Sequence, residues 1–165
     1  MKFTKEEVIG VAFAKLKPKR EEVFADIGAG SGRVTEFFLP YVRKAYSVEM
    51  NEEVCEKLKE KFEGIENVEV LNMDGSDFFR EYDCDVAFIG GTKNLEEMLE
   101  ICNAERFVIS AARMEVALKA KEVLRKRGMF REIVIVNVAK SYELAGGTAF
   151  KNVNPVFLVV GCSTA

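Results

Sequence analysis

No histidine, tryptophan or glutamine occurs anywhere in this 165-residue sequence. Without histidine the commonest general base is missing, and every Ser-His or Cys-His nucleophile pair is excluded. A zinc site loses its usual nitrogen ligand as well. Cys55, Cys84, Cys102 and Cys162 lie far apart, with no C-x-x-C pair among them, so no protein-bound metal is expected. Long apolar runs are also missing: none approaches the roughly 18 residues of a membrane span. The opening "MKFTKEEVIG" lacks the apolar core of a signal peptide. A formal charge of −3 argues against a nonspecific nucleic-acid binder or a polybasic membrane anchor. These absences lead us to expect a cytoplasmic protein with no membrane partner and no nonspecific nucleic-acid partner. Its chemistry must run on carboxylates, lysines, tyrosines or positioning.

What is present is an apolar fraction of 48% in a length suited to one domain over residues 1–165. The chain alternates between strand-like and helix-like stretches. "EVFADIG" (22–28) reads as a buried strand, and "RVTEFFLPYV" as a helix stopped near Pro40. "KAYSVEM" (44–50) is a second strand. The helix after it is capped by Asn51, carries an apolar stripe at Val54, Leu58 and Phe62, and ends at Gly64. "NVEVLNMD" (67–74), "CDVAFIGG" (84–91) and "ERFVISAA" (105–112) are further strands. "NLEEMLEICN" follows the fourth as a helix, and a last helix ends at Gly128. "REIVIVNVAKSYEL" and "NPVFLVVG" then read as two long strands joined by a glycine-containing loop, an antiparallel hairpin. The sum is an α/β, doubly wound, Rossmann-like sheet, mostly parallel and closed by that hairpin.

"DIGAGSG" (26–32) follows the first strand. In such a sheet ligands bind beyond the carboxyl ends of the strands, where residues without a Cβ let backbone approach closely. A dinucleotide fingerprint is G-x-G-x-x-G, but after Gly28 and Gly30 the third glycine is Gly32 and Arg33 holds the dinucleotide position. This spacing disfavours an oxidoreductase. No Gly-Lys-Ser/Thr follows, so the Walker pattern fails too. D-x-G-x-G-x-G is instead the pattern of class I S-adenosylmethionine-dependent methyltransferases; the competing reading is a tight turn with close helix packing. Two acidic residues sharpen the choice. Glu49 ends the second strand, where a carboxylate can accept both ribose hydroxyls. Asp74, followed by Gly75, ends the third and can meet the adenine amino group, although either acid also suits a strand-end cap or turn. Asp26 is placed for the methionine amino group.

"TKEEV", "DIGAGSGRVT", "FIGGTKNLEEML" and "LAGGTAFKNVNPVFLVVG" resemble the precorrin (cobalt-precorrin) C-15 methyltransferase and decarboxylase family of cobalamin biosynthesis, over about residues 4 to 161. The resemblance implies a class I methyltransferase that methylates an electron-rich carbon of a corrin-type macrocycle and removes carbon dioxide from an acetate side chain. The implied cofactor is S-adenosylmethionine, held by Thr4, Asp26, Gly28, Ala29, Gly30, Gly32, Glu49, Met50, Asp74, Gly75 and Gly90. A multiply carboxylated substrate needs cations, for which Arg33, Lys93, Arg113, Lys140 and Lys151 are the candidates. No catalytic base is assigned, since the ring supplies both nucleophile and electron sink. The resemblance also implies a homotetramer. Val134, Val136 and Val138, with Phe157 and Val159 on the partner strand, offer an edge for contact between copies, or else face the protomer's own core. Nucleic-acid amino-methyltransferases carry Asn/Asp-Pro-Pro-aromatic after strand four, where this chain reads "IGGT". Another small molecule or tRNA as acceptor stays open, as does a non-catalytic nucleotide-binding module.

Overall fold

The computed structural model describes residues 3–163, so the outermost four residues of the expected 1–165 domain lie outside the described residues. In chain order the elements are α1 (Glu6–Leu16), β1 (Val23–Ile27), α2 (Arg33–Phe38), a 3-10 turn over Leu39–Tyr41, β2 (Lys44–Val48), α3 (Glu52–Lys61) and β3 (Val68–Leu71). They continue as α4 (Gly75–Glu81), β4 (Val86–Ile89), α5 (Leu95–Ile101), β5 (Arg106–Ala111), α6 (Met114–Lys126), β6 (Phe130–Leu144) and β7 (Gly147–Cys162). The strands form one sheet in the order β3-β2-β1-β4-β5-β7-β6. The first five run parallel, and β7 is antiparallel to both β5 and β6. The strand order reverses at β1 and β4, the position where a doubly wound sheet opens a crevice.

Alternation along each strand sorts the core into two layers. Phe24 points to the face covered by α1 and α2, joining Val8, Ile9, Val34 and Phe38, and its ring stacks on Phe38 at 4.2 Å. Ala25 and Ile27 point to the opposite face, against α4, α5 and α6, with Phe78, Leu99 and Leu124. Both faces being covered, β1 and β4 are apolar almost throughout. Arg106 at the start of β5 ties α1 to the sheet. Its guanidinium donates to Leu16 O at 2.9 Å and to the buried Glu22 carboxylate at 2.7 Å.

Asn51 caps α3 as expected, accepting from Val54 N at 3.0 Å. Helices α1 and α4 were not assigned from the sequence. The latter spans seven residues, too short for a clear apolar period. The hairpin also departs from expectation: β7 opens at Gly147 rather than Asn154, and the connection shrinks to Ala145–Gly146, both with positive φ (50° and 78°). Two such residues make the type I′ turn that matches strand twist. Asn154 and Pro155 instead form a bulge, because Val136 pairs with Val156 and Val138 already with Val153. Proline has no N–H to place in a ladder, and a bulge tolerates it. Beyond that bulge the two strands pair only with each other and project as a ribbon. Val134, Val136 and Val138 face the protomer's own core, as do Phe157 and Val159. The apolar residues that the hairpin exposes are Ile135, Tyr142, Leu144 and Phe150.

Candidate active site

The turn after β1 is pinned from both sides. Gly28 N and Ala29 N donate to Val48 O at 2.8 and 3.0 Å, while Gly90 N and Gly91 N donate to Ile27 O at 2.8 and 3.1 Å. The β1 and β4 loops meet so closely that a Cβ on Gly28 would lie 2.5 Å from Gly91 N. At Gly32 a Cβ would come within 2.8 Å of Leu58, and at Gly75 within 2.7 Å of Ile27 and Met98. These three glycines serve packing. Gly30 differs: its φ is +53°, and the nearest atom to an added Cβ is Gly28 O at 3.9 Å. It borders open space in the cleft, which is where a ligand would meet bare backbone.

Glu49 stands just past β2. Its Oε2 accepts from Gly30 N at 3.0 Å and its Oε1 from Asn51 N at 3.0 Å. Asn72 steadies this corner by donating to Glu49 O and Met50 O at 3.0 and 3.2 Å. The Met50 side chain is exposed beside it. Asp74 caps α4 through Oδ1, which accepts from Asp77 N at 2.8 Å. Asp26 lies beneath the turn, 1% exposed. Its Oδ2 accepts from Thr35 N at 3.0 Å and from Thr35 Oγ1 at 2.6 Å, so it caps α2 in place of the glycine at the N-cap. Burial pushes the Asp26 carboxyl up to about 7, against the pull of the Thr35 donors.

A cleft of about 740 Å³ opens at the carboxyl ends of β1, β4 and β5. Thr4, Gly28, Ala29, Gly30 and Gly90 of the expected cofactor set line it, together with Arg33 and Arg113 of the expected substrate set. Asp26, Gly32, Glu49, Met50, Asp74, Gly75, Lys93, Lys140 and Lys151 lie off its wall. Glu49, Met50 and Asp74 sit on the β2–β3 side of the glycine turn, and Lys140 is paired with Glu7 at 2.9 Å on the ribbon. Sequence reasoning missed Phe3, Lys5, Thr92, Ser110 and Asn154, which also line the wall. A signal for Lys5 is present in the sequence: it stands three residues before the apolar spacing Val8, Ile9, Ala12 and Leu16 that α1 buries, at the N-cap of that helix. The Arg33 guanidinium stacks on the Phe3 ring at 4.7 Å. Among the described residues none that lines the cleft is Asp or Glu, whereas three are cations, in a chain of net charge −3. No helix among them is long and apolar enough to cross a membrane.

The sequence model of the precorrin methyltransferase domain matches residues 1–161. A protein of Archaeoglobus fulgidus, named "Probable cobalt-precorrin-6B C(15)-methyltransferase (decarboxylating)", is 61% identical over 160 residues, covering 97% of each chain. Among solved structures, precorrin 8W decarboxylase of Methanobacterium thermoautotrophicum superposes with a TM-score of 0.90 at 27% identity, over 98% of this chain and 92% of that one. Precorrin-6y C5,15-methyltransferase of Geobacter metallireducens gives 0.87 at 27% identity, over 97% and 90%. A glycine turn over a mostly parallel sheet and a match over nearly the whole length agree: the chain belongs to the precorrin methyltransferase family.

Proposed function

We propose that this chain is an S-adenosylmethionine-dependent C-methyltransferase of cobalamin biosynthesis, which methylates carbon 15 of a cobalt-precorrin-type macrocycle and removes carbon dioxide from an acetate side chain. The observation that carries the acceptor class is the charge of the cleft: among the described residues Lys5, Arg33 and Arg113 line it and no carboxylate does. Such a wall suits a multiply carboxylated ring. The residues of the β1–β3 corner fit the cofactor. Gly30 leaves the space a Cβ would fill, Glu49 presents a carboxylate at the turn, and Met50 offers exposed apolar surface for a purine.

Bound there, S-adenosylmethionine supplies an electrophilic methyl group. Each Glu49 oxygen receives one backbone N–H and keeps a second lone pair for a ribose hydroxyl. On this reading Asp74, whose Oδ1 caps α4, accepts from the adenine amino group, and Asp26 acts through α2, fixing the turn from below. The cations of the wall clamp the acceptor by its carboxylates. Holding two reactants in an aligned geometry is worth about 7 to 11 kcal/mol of barrier. No protein base is required for the methylation itself, which accords with a cleft wall lacking acid among the described residues and a sequence lacking histidine. The test is incubation with cobalt-precorrin intermediates and labelled cofactor: a product carrying the labelled methyl and lacking one carbon dioxide is expected, and no label in any corrin precursor would overturn the reading.

The same reading places one domain over residues 1–165 in the cytoplasm, with neither nucleic acid nor membrane as partner. It also takes the working particle as a homotetramer. The projecting ribbon supports this, since Tyr142, Leu144 and Phe150 are 47%, 57% and 67% exposed on it and a second copy is the common solution for such a surface. Light scattering should give four times the 18.5 kDa of one chain. An active monomer at micromolar concentration would end the assembly proposal.

A further inference from the structure

The cleft wall sets a cation near a valine at the start of three helices. Lys5 is at the N-cap of α1 and Val8 lies three residues on; Arg33 opens α2 and Val34 follows it; Arg113 is at the N-cap of α6 and Val116 lies three residues on. All six line the cleft. Within each pair the cation is the more exposed member, and Val8 and Val34 are only 1% and 4% exposed. Val156, just past the β7 bulge, joins Val8 and Val34 in one apolar cluster on the α1–α2 side of the sheet. The cleft wall thus sets exposed cations beside a buried valine cluster, which we take as rim and floor.

The two tiers suit two different carboxylates. A carboxylate held by a guanidinium or ammonium is stabilised as an anion and resists losing carbon dioxide. Pressed against apolar surface without a donor, it is destabilised in the ground state, while the departing carbon dioxide carries no charge that needs solvation. We infer that the acetate lost as carbon dioxide is seated on the valine floor formed by Val8, Val34 and Val156, and that Lys5, Arg33 and Arg113 hold carboxylates the product retains. This rests on the acceptor reading given above and extends it to the geometry of the second step.

The step balances. Methyl addition consumes an electron pair of the conjugated ring and leaves the ring one positive charge higher. The bond between the acetate methylene and its carboxylate carbon then breaks, its pair passes into the ring and cancels that charge, and carbon dioxide departs. The exocyclic methylene becomes methyl by taking a proton from water, and a ring carbon returns one to water. No oxidant or reductant enters.

The test replaces floor valines by threonine, which is nearly isosteric and adds a hydroxyl donor to the seat. With wild type, V34T and V156T, carbon dioxide released per methyl group transferred is measured on a cobalt-precorrin acceptor, with melting temperature and adenosylhomocysteine affinity recorded alongside. One donor to a carboxylate should lower that ratio about tenfold, with a methylated product accumulating that is heavier by one carbon dioxide. V156T, at a half-buried strand position, keeps the test valid if V34T fails to fold. An unchanged ratio in a folded variant would overturn the inference while the acceptor reading stands. So would a ratio lowered by R113M rather than by the threonines, because the rim would then hold the carboxylate that leaves. Failure of the wild type to methylate any corrin precursor would remove the acceptor reading itself.

Discussion

Glu49 Oε2 accepts a hydrogen bond from the Gly30 amide at 3.0 Å, so the residue proposed for the ribose also holds the turn that faces the cleft. The two roles are joined in one carboxylate, since its other oxygen takes Asn51 N. On the proposed reading, loss of that carboxylate loosens the loop and removes the ribose acceptor together.

Glu49→Ala should weaken adenosylhomocysteine binding at least tenfold, as charge-assisted hydrogen bonds are worth roughly 1.5–3 kcal/mol each before water compensates. Glu49→Gln should also lose affinity, because its amide nitrogen turns a donor toward a backbone N–H. Titration calorimetry on the folded variants reads both, and unchanged affinity would remove Glu49 from the cofactor site.

Gly28 and Gly30 should separate fold from function. Gly28→Ala drives a Cβ into the Gly91 backbone and should cost about 1–3 kcal/mol of stability. Gly30→Val meets open space, so the protein should still fold, at some cost for the positive φ, and lose binding. Melting curves set beside binding isotherms check the pair; normal binding by folded Gly30→Val would make the loop only a turn.

Asp26 should make stability depend on pH with a defined sign. Its carboxyl is raised from 3.8 to about 7 in the folded protein, so the fold keeps a proton that the unfolded chain releases. That contribution is complete below 3.8, declines as pH rises and is gone above about 7. Asp26→Asn lacks the proton to lose. Wild type should fall relative to it by an amount on the order of a few kcal/mol between about pH 4 and about pH 8, read by denaturant titration; parallel profiles would refute the raised carboxyl.

Removing charge at Arg33 and Arg113 should raise the Michaelis constant for the acceptor about tenfold or more and shift cofactor affinity much less. The difference should shrink as salt is added. Lys93→Met and Lys151→Met, off the cleft wall, should change it less. Equal losses for both substrates would place the acceptor on another face.

Ala145 holds φ +50° in the hairpin turn, a conformation that penalises a Cβ. Ala145→Gly or Ala145→Asn should stabilise the protein by roughly 0.5–1 kcal/mol. A lower melting temperature in both variants would show that the alanine methyl makes a contact outweighing the strain.

The parallel strands, the turn after β1 and the acids at the ends of β2 and β3 were legible in the sequence because each rests on local chemistry: apolar runs between turn residues, glycine where backbone must pass backbone, a cap at Asn51. The exposed ribbon was half legible. "GTAFKNV" buries neither face, and its strand character comes from pairing with β6 alone. The spacing D-x-G-x-G-x-G named the family of loop but not the task of each glycine. Gly28, Gly32 and Gly75 answer to Gly91, Leu58 and Met98, partners distant along the chain. Which cations share a cleft was likewise beyond the sequence, where Lys5, Lys93 and Lys151 look alike. Only the packing of α1 and α2 on one face of the sheet and of α6 on the other brings Lys5, Arg33 and Arg113 together at its carboxyl end and leaves Lys93 and Lys151 off the cleft wall, because proximity between segments far apart in the chain is set by the core they bury and not by any residue's own preference.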